Sequence, residues 1–227
     1  MKKIYLIILC SCLAISASAQ RASSSSSSFF SVERSDNPIT FGVTAGLNIA
    51  NMSFKQSGLS ISPDSRTGFN VGLTVDIPLL ESIYVKSGLL YTAKGCKFED
   101  DDYDVEYTPA YLEIPILASY RYDFSDVTQL EFNVGPYLAY GIGGKAKYKD
   151  DEYDDEDEED FFGDDSQTKR FDAGLQIGAG ITVGTHYYLG VSYQWGLSNV
   201  LSNNHDGHED GLKIRNNNFM INLGYKF

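Results

Sequence analysis

Cysteine is scarce in this 227-residue chain. Of its three, Cys10 and Cys12 lie in a segment that reads as a removable leader, which leaves Cys96 alone. One cysteine closes no internal disulfide, so the exported domain must be stable without one. Proline is also rare, at six residues. Basic charge is in deficit: 18 Lys+Arg stand against 31 Asp+Glu, a net charge of −13. Phosphate backbones need clustered Lys and Arg, so nucleic acid is not an expected partner. Histidine is limited to His186, His205 and His208, which leaves little for acid–base or nucleophilic catalysis. After the leader there is no run of 18 apolar residues, so no transmembrane helix is expected. A barrel strand, however, hides its apolar face at period two, so this absence leaves a membrane open.

What the chain does have is 16 Tyr, 13 Phe and 21 Gly within a 42% hydrophobic composition. That excludes wholesale disorder and points to many strands and few helices. Residues 1–19 carry Lys2 and Lys3, an apolar run from Ile4 to Ile15, and a small-residue end at Ala17-Ser18-Ala19. This is the pattern of a secretory signal cleaved near Ala19. A membrane anchor fits less well, because the apolar run is too short and no stop-transfer charges follow. Cleavage removes two Lys and no acid, taking the net charge from −13 to −15. Residues 20–38 hold the serine run Ser23–Ser28 and read as a flexible periplasmic linker.

From residue 39 to residue 227 the hydrophobic period is two. Phe41, Val43, Ala45, Leu47 and Ile49 alternate with small or polar residues. Further rows start at Phe69, Ile83, Leu112, Leu130, Phe171, Tyr187 and Phe219, with Leu90 out of step. That makes eight strands. The connections alternate between long (53–67, 99–108, 146–169, 199–212) and short (78–82, 124–127, 184–186). The expected fold is all-β: an eight-stranded antiparallel up-and-down transmembrane β-barrel with long extracellular loops and short periplasmic turns.

One face of each strand is nearly pure aliphatic and aromatic. The other carries Gly, Ser, Thr, Asn, Gln and charged groups, with at least twelve of the 21 glycines. A soluble eight-stranded barrel or a β-sandwich would bury the apolar face. Here aromatics gather toward both strand ends around an aliphatic middle, which suits two lipid–water interfaces. The polar face is then the lumen, which in eight strands is only wide enough for side chains. If the short turns are symmetric, Asp76 lies opposite Lys86 and Arg121 opposite Glu131. Exposed, such cross-strand pairs are worth about 0.2–1 kcal/mol. In a lumen, losing one partner costs roughly 3–5 kcal/mol. Their expected role is structural, not catalytic.

Several segments match a family. Tyr111-Leu112-Glu113-Ile114-Pro115-Ile116-Leu117, Gly135-Pro136-Tyr137, Tyr193-Gln194-Trp195-Gly196-Leu197-Ser198-Asn199 and Leu223-Gly224-Tyr225-Lys226-Phe227 resemble the PorT-like outer-membrane β-barrel proteins. Gly46-Leu47-Asn48-Ile49 and Gly68-Phe69 fit as well. The resemblance runs from about residue 40 to the C-terminus. It implies an eight-stranded barrel integral to the outer membrane, and no fixed activity. Some members are linked to protein secretion, so a secretion-system protein is one partner the resemblance implies. The acidic segment 150–165 is not a hallmark of that family. A final strand ending in Phe227 has the look of the signal read by the outer-membrane assembly machinery.

The acids are concentrated. Twelve lie between Asp150 and Asp165 and six between Glu99 and Glu106. Asp154, Asp155, Asp157 and Glu159 are candidate cation ligands, and diffuse Ca²⁺ or a basic protein suits such a field. The spacing lacks an EF-hand's central glycine. His205 and His208, with Asp206, Glu209 and Asp210, form a second candidate metal group without a known spacing. No phosphate loop occurs, an open pore needs more strands, and no two acids stand out as a glycosidase pair. The expected function is therefore non-catalytic and structural or surface-binding, with no cofactor. A secretion accessory, a cation-binding adhesin and a surface enzyme are the alternatives.

Overall fold

The structure, a computed structural model, describes residues 35, 37–56, 59–61, 63–100, 103–150, 155–162, 168–200 and 213–227. The expected leader at 1–19 and nearly all of the expected linker at 20–38 lie outside these residues. Thirteen strands follow one another: β1 (Thr40–Gln56), β2 (Leu59–Ile61), β3 (Asp64–Leu80), β4 (Ile83–Ala93), β5 (Cys96–Asp100), β6 (Tyr103–Tyr107), β7 (Ala110–Ser125), β8 (Thr128–Gly143), β9 (Lys145–Asp150), β10 (Asp155–Asp160), β11 (Phe171–Val183), β12 (Tyr187–Gly196) and β13 (Lys213–Lys226). Among the described residues no helix is long and apolar enough to cross a membrane.

Eight of these strands close on themselves. The ring runs β1–β3–β4–β7–β8–β11–β12–β13 and returns to β1, every pair antiparallel. Closure is sealed where Gly42 faces Lys226 and the Phe227 amide donates to the Phe41 carbonyl at 2.8 Å. A closed ring leaves no free edge, the condition for a sheet in lipid. Short turns join β3 to β4, β7 to β8 and β11 to β12. The last contains Gly184 and Thr185, with φ of 61° and 65°, the paired positive φ of a tight hairpin.

Facing follows the period of two. Phe41, Leu47, Leu73, Val134, Leu175, Ile177, Leu189 and Leu223 point outward and are exposed. Asn48, Asn70, Glu113, Glu131, Asp172, Gln194, Asn216 and Asn218 point inward and are buried. Outward apolar rows of this extent are unstable in water and match hydrocarbon. Leu90 is buried with the inward set, which explains why it breaks the outward row of β4.

The long connections differ from expectation. Parts of 53–67, 99–108 and 146–169 were expected to be loops, yet they extend the sheet beyond the barrel. β3 pairs with β5, β5 with β6, β6 with β9, and β9 with β10. Acids are poor strand formers, and register compensates for that here. Lys147 of β9 stands between Glu106 of β6 and Glu158 of β10. Opposite charges facing one another across strands stabilise the pairing. The chain turns from barrel to extension at Gly95 (φ 145°) and Gly144 (φ 135°). A Cβ on Gly144 would stand 2.5 Å from the Thr108 carbonyl oxygen, so both conformation and space call for glycine there.

Candidate functional site

The lumen is filled in layers. The layer nearest the short turns is ionic. Asp76 faces Lys86 across β3 and β4, and Arg121 faces Glu131 across β7 and β8. The ion contacts cross over: Arg121 pairs with Asp76, and Lys86 pairs with Glu131. Arg121 Nε also lies 3.3 Å from Glu131 Oε2. Lys226, which sequence reasoning did not single out, joins them at 3.1 Å from Glu131 and 3.4 Å from Asp76. Two rings complete the layer. Tyr84 lies 3.9 Å under the Arg121 guanidinium, and Tyr188 lies 4.0 Å from Lys86 Nζ.

A second polar layer sits toward the long-loop end, and sequence reasoning missed it as a unit. Lys94 follows β4, Glu113 comes from β7, Asp172 from β11 and Gln194 from β12. Lys94 Nζ is 3.0 Å from Glu113 and 3.7 Å from Asp172. Gln194 donates to Glu113 and to Gln176, the latter at 3.0 Å. Asp172 accepts from Ser198 at 2.5 Å, from Asn216 at 3.0 Å and from Tyr137 at 3.4 Å. Asn216 also donates to the Tyr111 hydroxyl at 3.2 Å. The signal that could have revealed this layer was present. Tyr111, Glu113, Tyr137, Gln194 and Ser198 all belong to the motifs that carry the PorT-like resemblance.

Above it lies an apolar cap. Met52, Cys96, Tyr111, Tyr137, Phe161, Phe162 and Val200 cluster, with Phe54, Phe98 and Tyr107 against them. Rings run in contact from Phe54 to Phe98 (5.3 Å), Tyr107 (6.3 Å), Phe161 (5.8 Å), Phe162 (4.9 Å) and Tyr111 (5.6 Å). Edge-to-face pairs of this kind add about 0.5–1.5 kcal/mol each beyond area burial. A Cβ on Gly141 would meet the Phe162 ring at 2.3 Å, so glycine there lets Phe162 seat. Arg170 holds the Phe162 carbonyl at 2.6 Å. Burial pushes the Cys96 thiol and the Tyr107 phenol each up to about 12. Cys96 is thus a packed side chain rather than a reactive thiol.

Outside the cap stands the acidic sheet. Lys145 and Lys147 both pair with Glu158, Lys147 at 2.8 Å. Their hydrogen bonds lower the Glu158 carboxyl to about 2. Of the candidate cation ligands, Asp155 and Asp157 fall on β10 and Glu159 is exposed on it. Asp154, His205 and His208 lie outside the described residues. Among the described residues no group of three or more His, Cys, Asp or Glu is placed to hold a metal. The acidic segments 99–106 and 150–165, expected at the same end of the barrel, partly share one sheet through the pairing of β6 with β9.

A comparison with protein-family models agrees with this architecture. The family model "Outer membrane protein beta-barrel domain" matches residues 18–202. Among solved structures, the chain is similar to the Ail attachment invasion locus protein of Yersinia pestis, with 16% identity, 83% of this chain and 99% of that one covered, and a TM-score of 0.40. It is also similar to Neisserial surface protein A (14% identity, 84% and 100% covered, TM-score 0.41). The outer membrane protein OprG of Pseudomonas aeruginosa gives 13% identity, 83% and 95% covered, and a TM-score of 0.41. No curated protein matches.

Proposed function

Because the chain belongs to the outer membrane protein beta-barrel domain family and is therefore integral to the outer membrane, we propose that it is a non-catalytic surface protein whose acidic extension captures basic partners and loosely held divalent cations. The observation that carries this reading is the β10–β9–β6–β5 sheet, which holds acidic strands on an ordered platform beyond a filled barrel. The ionic layer, the second polar layer and the aromatic cap leave the lumen to structure, so chemistry with the outside falls to the extension. Eighteen of the 31 acids lie in the two segments that build it. Such a field raises the local concentration of cations and basic proteins. Among the described residues the one histidine is His186, in the β11–β12 turn, bonded to Gly184 and Thr185, which argues against His-dependent catalysis in the lumen.

The test replaces the acids from 150 to 160 by Asn and Gln in the full chain, which keeps Phe161 and Phe162 of the cap. The variant is expected to insert and migrate as a folded barrel. Its binding of a lysine 20-mer at low salt should fall roughly tenfold, and added salt should weaken the wild-type interaction. Unchanged peptide binding contradicts the proposal. A second reading, an accessory part of an outer-membrane protein-secretion assembly, is favoured by one observation. The PorT-like motif residues Tyr111, Glu113, Tyr137, Gln194 and Ser198 converge in one lumen layer. Intact export of secreted proteins after loss of the gene contradicts that reading.

A further inference from the structure

The periplasmic mouth of the barrel holds a vestibule of about 580 Å³ that neither the lipid-facing rows nor the acidic sheet explains. Arg121, Lys226 and Thr182 line it, with Glu81 and Asp126 from the short turns and Asp123 near the end of β7 also in its wall. Arg121 and Lys226 belong to the inner ionic layer, and that layer does not balance. Lys86, Arg121 and Lys226 bring three positive charges, while Asp76 and Glu131 bring two negative ones. A surplus charge in a desolvated layer is unfavourable unless a counter-ion meets it. Two of the three cations face the vestibule. Thr182 stands with them, 3% exposed, and its hydroxyl has no hydrogen-bond partner among the described residues. Buried hydroxyls normally have one. The vestibule therefore borders a layer with one more cation than anion, and an unused hydroxyl lies in the same lining. The wall acids have the opposite sign. Asp123 and Asp126 are exposed, and Asp123 accepts from Gln129 at 2.8 Å.

We infer that this vestibule binds a small zwitterion, with its phosphate or carboxylate on Arg121, Lys226 and Thr182 and its ammonium at Asp123 and Asp126. The floor charges act in a low dielectric and supply the affinity. The wall acids are solvated and screened, and they supply the preference for a zwitterion over a bare anion.

The full chain, folded in detergent micelles, is titrated calorimetrically with phosphoethanolamine, inorganic phosphate and ethanolamine. Heat-modified gel migration reports the barrel fold. Phosphoethanolamine should bind roughly tenfold more tightly than phosphate, and ethanolamine should not bind in the same range. Thr182→Val keeps the side-chain shape and removes the hydroxyl, and should weaken phosphoethanolamine roughly fivefold or more. Lys226→Gln leaves two charges of each sign and should weaken it further. If Lys226→Gln does not fold, Thr182→Val decides. Asp123→Asn with Asp126→Asn should erase the preference over phosphate. Absent binding, equal affinity for phosphate and phosphoethanolamine in the wild type, or binding untouched by Thr182→Val overturns the inference.

Discussion

Glu131 is the residue on which most of the inner layer depends. It meets Lys86, Lys226 and Arg121 and accepts from Asn133 at 3.0 Å. Glu131→Ala leaves Asp76 alone against three cations, two of them buried, and should cost about 3–5 kcal/mol of barrel stability, read from urea unfolding in lipid vesicles. A loss below 1 kcal/mol would show that water already screens the layer. The register of this layer was legible in the sequence, because a symmetric short turn sets Asp76 against Lys86 and Arg121 against Glu131. The contacts were not. Side chains in a narrow lumen reach over to strands that share no hydrogen bonds, so the pairs cross and Lys226 enters from the last strand. Asp172 escaped for the same reason, since β11 shares no hydrogen bonds with β4 or β7, whereas Lys94 follows β4 and Glu113 lies on its neighbour β7. Closure of the ring brings Asp172 to them.

At the scale of elements, the eight barrel strands were readable because alternation is a direct record of facing. The extension strands were not, because Asp, Glu and Lys carry no strand preference. Only the register of β6, β9 and β10 turns their charges into pairs. That register has a pH signature. Glu158 is held at about 2 by Lys145 and Lys147, below the ordinary 4.5. A lowered carboxyl contributes fully above its unfolded value and loses its contribution as pH falls through its folded one. Amide protection in β9 and β10 should therefore weaken between about pH 4.5 and about pH 2, while β11 and β12 keep theirs. Hydrogen exchange by mass spectrometry separates the two; protection in β9 and β10 that is flat across that range would contradict the pairing. Facing makes its own prediction on β11. Leu175 is outward and 48% exposed, and Gln176 is inward and 8% exposed. Leu175→Arg should cost about 2–4 kcal/mol if it lies near the bilayer midplane. Gln176→Arg should act through crowding against Gln194 and should worsen in step with side-chain size rather than charge.

For the whole molecule, one inversion accounts for the design: apolar rows turn to lipid, and polar groups fill the axis. The closed ring removes edges, and the acidic extension and the vestibule lie at its two ends. The outer end is acidic and carried on strands. The inner end is a vestibule over an unbalanced ionic layer. The measurement that reaches this claim most directly is spin labelling at successive positions from Leu175 to Ile181 in the barrel reconstituted in lipid. Labels at 175, 177, 179 and 181 should collide readily with oxygen dissolved in the acyl chains, and labels at 176, 178 and 180 should be shielded from it. The reverse alternation, or uniform accessibility along β11, would contradict the account.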